Sequence, residues 1–297
     1  VVIAPVTSDK EYALFETNAV RYKLIPQSLN LSKNLDRGDL SYRALPIARH
    51  IEYVLGYRLV RLQYPRALGN YSIVAVDATP VWFRGYAKLG VAPVLMDPSG
   101  LNLDYLDLVI GENEEEVIEV VFNKLSNKKN VMRALIYVNR RSIPSLLLEK
   151  YYDEFEQLII IAISKIGVPR LVIVDDTSVR SPERGIFVEH TSSTTKGFNH
   201  YEYLGVTSII TDIAQKQDLT PITGTYSIYI KDNVKIDVKE LLDYVYSSTM
   251  IFVESPLYLP SFPQPLHEAH RKSRKLHKLS RYVDVINIMN ADTLKAL

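Results

Sequence analysis

The sequence contains no cysteine, which excludes disulfides, zinc–thiolate sites and thiol catalysis. It also lacks a long apolar run: the longest, at residues 158–163, is far shorter than a membrane-spanning helix requires. The opening stretch VVIAPVTSDKEYALF has no basic segment followed by an apolar one, so we expect no secretory signal there. Together these absences predict a cytoplasmic protein with no membrane insertion by this chain.

An excess of one charge sign is also missing. The 297 residues carry 35 Lys and Arg against 34 Asp and Glu, a formal net charge of +1. Bulk charge therefore predicts no polyanionic partner, and any nucleic-acid site must come from local clustering of cations. Hydrophobic residues make up 47% of the chain, as expected for a globular protein with a sizeable core.

The first 70 residues alternate between strand and helix patterns. Residues 1–4 and the stretch YKLIPQSLNL predict strands, and residues 8–22 predict a helix capped by Ser8 or Asp9. Apolar positions at helical spacing between Ile47 and Leu55 predict a second helix. This order predicts a small Rossmann-like α/β unit over residues 1–70.

Residues 71–297 predict a second, larger α/β domain. YSIVAVDATPVWF predicts a strand with YAKLGVAPVLMD as its hairpin partner, and ENEEEVIEVVFNKLSNK predicts a helix with acids at its N-terminus. RALIYVN predicts a buried strand, and PSLLLEKYYDEFEQLIIIAISKIG predicts one long helix ending at Gly167. PRLVIVDD, RGIFVEH, VTSIITD and TYSIYIK predict strands, whereas DVKELLDYVYSSTMI and the basic segment after FPQPLH predict helices.

Asp77 lies in the middle of an apolar strand pattern. A carboxylate there must be paired, solvated at the strand's end, or bound to metal. The hairpin, helix, strand, helix and strand that follow match the layout of RNase H-like nucleases, whose carboxylates hold two Mg²⁺ or Mn²⁺ ions about 4 Å apart. A capped acid at a strand end is the competing explanation, and Asp77 alone does not exclude it.

Taken together, the motifs resemble the MID and PIWI domains of an Argonaute. VDATPVWF resembles the first PIWI strand with its catalytic acid, here Asp77, and GENEEEVIEVVFNKL resembles the stretch with the mobile glutamate, best matched by Glu112 and next by Glu114. FPQPLHEAH resembles the family's ending that supplies a fourth metal ligand, here His270. RYKLIPQSLNL, ALPIARHIEYVLGYRLVRL, ALIYVNRRSIPSLLLEKY and GTYSIYI resemble further MID and PIWI segments. The resemblance implies an α/β fold in which a Rossmann-like MID unit precedes an RNase H-like PIWI domain.

The same resemblance implies guide-directed binding of nucleic acid, with the basic helix after His270 facing the 5′ end of the guide. The implied phosphate-contacting residues are polar or cationic: Lys23, Gln27, Arg43, Arg49, Arg184, Arg271, Lys272, Arg274 and Lys275. A solvated basic helix, or a surface for an acidic partner protein, is the competing explanation for the cations and ranks second. His267 is expected to be structural.

Two departures from the family pattern bear on activity. Asn139 stands where the family's third acid lies, and the loss of that negative ligand predicts that target cleavage is absent. No cofactor is therefore certain, although Mg²⁺ or Mn²⁺ stays possible, and Asp175 or Asp176 could substitute for the missing acid. In the MID-like unit, Val54 replaces a phosphate-binding lysine, which leaves open a 5′-hydroxyl guide, other cations, or no guide.

No segment resembles the N-terminal or PAZ domains, so the chain is similar to the short prokaryotic (archaeal) Argonautes. That class is usually catalytically silent and works in host defence with a separate effector or PAZ-like subunit. Two alternatives stay open. One is an active Mn- or Mg-dependent nuclease like the archaeal end-resection enzymes, with Asp77, Asp175 and His270 as the metal set. The other is a scaffold subunit without nucleic-acid binding.

Overall fold

The computed structural model describes residues 2–22, 24, 26–30, 48, 61–83, 85–128, 131–165, 173–174, 179–180, 184–210, 220–249, 262–287 and 289–296. Elements are numbered in chain order among these residues. The helix expected between Ile47 and Leu55 lies almost wholly outside them, and so does Val54.

The N-terminal part is a strand–helix–strand unit. Strand β1 (Val2–Val6) and strand β2 (Pro26–Asn30) pair in parallel, and helix α1 (Asp9–Arg21) connects them. The Ser8 hydroxyl accepts a hydrogen bond from the Glu11 backbone N–H, which confirms the predicted cap. The arrangement confirms the alternation predicted for the start of the chain. The predicted boundary at residue 70 stays a prediction.

An eight-stranded sheet dominates the rest of the chain, in the order β13-β14-β15-β10-β9-β3-β6-β7. Its strands are β3 (Ser72–Val76), β6 (Val94–Met96), β7 (Leu103–Tyr105), β9 (Arg133–Val138), β10 (Gln157–Lys165), β13 (Phe187–Thr195), β14 (Phe198–Ile210) and β15 (Thr220–Lys231). Strands β3, β9 and β10 run parallel to one another at its centre, and the other pairs are antiparallel.

The predicted hairpin after residue 71 is split between two sheets. Strand β3 ends at Val76, and the chain continues as β4 (Thr79–Phe83), which pairs with β5 (Tyr86–Val91) in a separate three-stranded sheet completed by β8 (Val109–Gly111). Asp77 and Ala78 form the junction. Asp77 is therefore a strand-end acid, not one in the middle of a strand.

The prediction of one long helix ending at Gly167 is wrong. A short helix, α3 (Ser145–Tyr151), is followed by the nine-residue strand β10. The run LIIIAIS is rich in β-branched residues and is buried on both faces between β9 and β15, so it lacks the alternation that marks a half-exposed strand. Length and apolarity alone do not separate such a strand from a buried helix.

The remaining helices are α2 (Glu114–Ser126), α4 (Val238–Ser248), α5 (Gln264–Ser280) and α6 (Ala291–Ala296). Two short strands, β11 (Ile173–Val174) and β12 (Val179–Arg180), pair only with each other in the described part of the chain. Helix α5 begins at Gln264, so it starts within the segment FPQPLH and not after it as predicted, with Pro265 in the first turn. Both His267 and His270 are thus helical.

Alternate residues of the central strands pack on opposite faces of the large sheet. Ile73, Leu135 and Ile159 belong to a core that includes residues of α4 and α5, whereas Val74 and Ile136 belong to a core with α2 and α3. Helix α5 therefore lies on one face, beside the ends of β3 and β9. Within the residues described, no helix is long and apolar enough to cross a membrane.

Candidate functional site

Two polar side chains meet where two central parallel strands end. Asp77 follows β3 and Asn139 follows β9, so both emerge at the same edge of the sheet. The Asn139 side-chain Nδ2 donates to Asp77 Oδ1 at 2.5 Å, and the Asn139 backbone N–H donates to the Val76 carbonyl at 3.1 Å. The amide must present its NH₂ group here, because its own oxygen would repel the carboxylate.

Helix α5 supplies the third member of the site. His270 Nδ1 lies 2.9 Å from Asp77 Oδ2, and the Ser273 hydroxyl, one turn later, donates to the Asp77 backbone carbonyl at 2.6 Å. A carboxylate only accepts, so Nδ1 carries the hydrogen. The Phe262 ring packs against the imidazole. We call Asp77, Asn139 and His270 the Asp77 cluster.

The Asp77 cluster does not fit the divalent metal pair that an RNase H-like fold implies. Two-metal chemistry needs several ionised carboxylates around the ions. Here one carboxylate, 5% exposed, has both oxygens engaged by an amide and an imidazole. No group of three His, Cys, Asp or Glu side chains able to hold a metal occurs among the described residues. Asp175, the proposed substitute, and Asp176 lie outside them.

The predicted mobile glutamate is bound elsewhere. Glu112 follows β8, and its carboxylate lies 2.6 Å from Lys88 Nζ on β5, the neighbouring strand. Its backbone N–H donates to the carboxylate of Glu116, and the side chain is 67% exposed. Glu114 is the first residue of α2. The structure therefore joins Asp77, Asn139 and His270, while Glu112 belongs to a surface ion pair.

Most cations of the basic helix already have partners within the fold. Arg271 binds the Glu268 carboxylate at 3.0 Å, and Arg274 is exposed. Lys272 is only 2% exposed: its Nζ donates to the Leu294 carbonyl at 2.7 Å and lies 4.9 Å from the centre of the Tyr105 ring. The expectation of a row of exposed cations thus does not fit Lys272.

Helix α5 also contacts α1, through two ion pairs that the sequence did not lead us to expect. Lys275 Nζ lies 2.7 Å from Glu16 Oε2, and Lys278 Nζ lies 2.6 Å from Asp9 Oδ1. Both ammonium groups also lie over the Tyr12 ring. Burial raises the pKa of the Tyr12 phenol, and Glu16 adds to the rise. We call this the α1–α5 contact. In the sequence, Tyr12 and Glu16 are four residues apart, which puts both side chains on one face of the predicted helix, and this spacing is the feature that could have indicated the contact.

We expect Lys272→Met to change how stability depends on pH. Burial, followed by repulsion from Arg271 and Lys275, lowers the pKa of Lys272 well below its ordinary 10.5. Between the lowered pKa and 10.5 the unfolded chain binds a proton that the folded chain does not, so the wild-type free energy of unfolding rises with pH. The variant lacks this proton. The wild type should therefore gain about 1.4 kcal/mol per pH unit over the variant within that window.

Urea unfolding of both proteins, repeated at increasing pH below 10.5, measures this difference. A difference that stays constant up to that pH would contradict a lowered pKa of Lys272.

The other residues predicted to bind nucleic acid either lie away from α5 in the sequence or fall outside the described residues. The Arg184 Nε donates to the Thr207 carbonyl, and the guanidinium lies over the Tyr246 ring. Gln27 is in β2, where only the backbone is described. Lys23, Arg43 and Arg49 lie outside the described residues.

The fold matches solved structures of Argonaute and Piwi proteins. A Clostridium butyricum Argonaute, solved with a guide DNA and a 19-mer target DNA, aligns with 95% of this chain at a TM-score of 0.64 and 17% identity. Drosophila Piwi aligns with 99% at 0.66 and 15% identity, and A. aeolicus Argonaute with 96% at 0.57 and 16% identity. The fold is that of the Argonaute and Piwi proteins.

This Argonaute-like fold confirms the predicted α/β architecture with an RNase H-like PIWI sheet. The chain spans about two fifths of the solved structures, covering 38%, 39% and 40% of the Clostridium, A. aeolicus and Drosophila proteins. No protein-family model and no curated protein sequence matches it.

Proposed function

We propose that this chain is a guide-directed nucleic-acid-binding module that does not cleave its target. The observation that carries the proposal is the Asp77 cluster, closed by hydrogen bonds within an Argonaute-like fold. The fold supports nucleic-acid binding by likeness to a protein solved with guide and target DNA. The closed cluster supports the loss of metal-dependent chemistry, since Asn139 donates where a metal ligand would have to accept.

The proposal extends to the guide's 5′ end. The resemblance puts that end beside the basic helix, where Lys275 is already paired with the buried Glu16. A terminal phosphate there would have to compete with a carboxylate for the same ammonium and would be repelled by it. A guide with a 5′-hydroxyl meets no such repulsion, so we propose that this chain prefers one.

By resemblance to short prokaryotic Argonautes, the proposal includes a separate effector or PAZ-like subunit. In that arrangement this chain recognises guide and target, and the partner responds. A cytoplasmic role in archaeal defence against invading DNA is part of the same proposal.

The test is to purify the chain from its native host, with any partner, and extract what accompanies it. We expect short nucleic acids of uniform length whose 5′ ends accept a labelled phosphate without prior phosphatase treatment. Labelling only after phosphatase would contradict the hydroxyl preference. A complex that holds no nucleic acid and binds no short RNA or DNA in solution would contradict the function and favour a scaffold.

The nuclease alternative depends on Asp175. Asp175 lies outside the described residues. The segments IPQSLNL and HIEYVLGY have no place in that nuclease family, and this ranks the alternative second. It predicts Mn²⁺-dependent degradation of single-stranded DNA that Asp77→Ala abolishes.

A further inference from the structure

An open cleft of about 640 Å³ lies between the β4–β5 turn and the C-terminal end of α5, away from the Asp77 cluster. Its lining includes Trp82, Phe83, Arg281 and Tyr282. Trp82 and Tyr282 are each 42% exposed, and Tyr86, which pairs with Phe83 across the turn, is 75% exposed. Apart from Tyr22, these are the strongly exposed aromatic side chains in the described part of the chain. We call this the Trp82 cleft.

Hydrogen bonds fix the two walls of the Trp82 cleft against each other. The Trp82 backbone N–H donates to the Ser280 hydroxyl at 3.0 Å, and that hydroxyl donates to the His277 carbonyl. His277 Nδ1 lies 2.6 Å from the Pro80 carbonyl, which can only accept, so Nδ1 carries the hydrogen. Strand β4 is therefore bound to α5 at two backbone positions, and the indole is attached to a rigid wall.

The same histidine orients the cation of the cleft. Arg281 Nη2 lies 3.0 Å from His277 Nε2; a guanidinium only donates, so Nε2 accepts. A single neutral tautomer of His277 satisfies both bonds. The guanidinium is thus held in place, and its other N–H groups have no partner among the described residues, which reduces the entropy lost when an anion binds.

Asp284 also lines the cleft and offsets part of its positive charge, but it forms no ion pair with Arg281 among the described residues. One oxygen of Asp284 accepts from the Ile286 backbone N–H and the other from the Asn287 side chain. The carboxylate is therefore committed to its own turn. What the Trp82 cleft offers a ligand is aromatic surface beside a fixed positive charge.

We propose that the Trp82 cleft binds one nucleotide of a single-stranded nucleic acid, with its base stacked on Trp82 or Tyr282 and its phosphate on Arg281. The proposal deepens the nucleic-acid-binding function above and rests on it. Aromatic faces bind any base, and an arginine at their side matches the phosphate of the same nucleotide. An apolar peptide would use the rings but would leave the oriented guanidinium without an anion.

The chain has a single tryptophan among 20 tyrosines, so emission excited selectively at tryptophan reports on this cleft. The probe is a single-stranded deoxythymidine oligonucleotide of about 12 nucleotides, compared with an abasic strand carrying the same number of phosphates. We expect the thymidine strand to quench the tryptophan emission. The quenching curve and the fluorescence-polarisation curve of a labelled strand should give the same dissociation constant. The abasic strand should bind about tenfold more weakly and quench little.

Variants separate stacking from charge. Trp82→Leu should weaken polarisation binding about tenfold, and Trp82→Phe should retain most of the affinity, since both change the same side chain but only one removes the ring. Arg281→Gln should lower the slope of log affinity against log salt by about one phosphate contact. Leu146→Ala, which trims an exposed apolar side chain on α3, is the control and should bind like the wild type.

One outcome would overturn this inference and leave the proposed function standing. In it, the oligonucleotide binds in the polarisation assay without quenching the tryptophan emission, and Trp82→Leu binds it as tightly as the wild type does. Equal quenching by the abasic strand would overturn stacking. Loss of a partner protein on Trp82→Leu, at unchanged oligonucleotide affinity, would reassign the cleft to that protein. Absence of all oligonucleotide binding would overturn both proposals.

Discussion

Replacing Asn139 by aspartate is expected to make the protein's stability depend on Mn²⁺. The Asn139 amide now donates to Asp77 Oδ1 at 2.5 Å, within a buried site. A second carboxylate at that position removes the donor and sets two like charges side by side, so one of them must bind a proton or both must bind a cation. Without metal we expect the variant to lose about 2–4 kcal/mol of unfolding free energy.

A divalent cation should reverse part of this loss. With two carboxylates and an imidazole the site acquires a ligand set suited to Mn²⁺, and binding to the folded state alone stabilises it. At a metal concentration about 100 times the dissociation constant, the gain is about 2.7 kcal/mol. Thermal or urea unfolding with and without Mn²⁺ measures it. The wild type should respond little.

Asn102→Asp is the matched control, because the Asn102 amide also donates to an aspartate, Asp97 Oδ2, at 2.5 Å, but at an exposed position without a histidine. It should lose little stability and should not respond to Mn²⁺. A wild-type protein stabilised by Mn²⁺ as strongly as Asn139→Asp would show that the Asp77 cluster is already a metal site.

The second large effect is expected at the α1–α5 contact. Glu16→Gln keeps the shape of the side chain but removes the carboxylate that faces Lys275. Glu16 has a side-chain exposure of 3% and Lys275 of 18%, so the remaining ammonium would be poorly solvated. Removing one member of such a buried pair costs about 3 kcal/mol. Urea unfolding measures the loss, which should be smaller when Lys275→Met is introduced together with it.

The same two helices provide the control. Asp9 and Lys278 form a pair whose side chains are 61% and 43% exposed, so Asp9→Asn should change the unfolding free energy by less than about 1 kcal/mol. Equal losses from Glu16→Gln and Asp9→Asn, or a Glu16→Gln loss that Lys275→Met does not reduce, would show that burial does not govern the contact. If Glu16→Gln also increases affinity for a 5′-phosphorylated guide, the charge competition proposed for the guide end is supported.

Local signals in the sequence predicted much of the fold. The cap at Ser8, the acids in the first turn of α2 and the apolar run of β3 each act over a few residues, and each predicted element was confirmed. The error at β10 has a physical origin: a strand buried on both faces presents a continuous apolar run, and only its neighbours β9 and β15 decide its conformation. The break at Asp77 likewise depends on α5, which binds the strand end from almost 200 positions away, as the Ser273–Asp77 separation of 196 residues shows.

Three of the four residues expected at the candidate site, Asp77, Asn139 and His270, lie together in the structure, whereas Glu112 lies elsewhere. Their functional role stays a prediction. Their mutual hydrogen bonds, and the pairing of Glu112 with Lys88, depend on side-chain geometry that no spacing encodes. The basic helix likewise could be predicted from the sequence, whereas the partners of its side chains could not. Helical spacing placed Lys272 and Lys275 on α5, but only the packing shows that Lys275 pairs with α1 and that Lys272 donates to α6.

The most direct test of binding without cleavage measures both properties in a single reaction. A labelled target strand is mixed with the protein and a complementary guide bearing a 5′-hydroxyl, in Mn²⁺, and both retention on the protein and target length are followed over hours. The account predicts a retained, guide-dependent target of unchanged length. A shortened product that requires Mn²⁺ and disappears in Asp77→Ala would contradict it, and so would a target that is not retained at all.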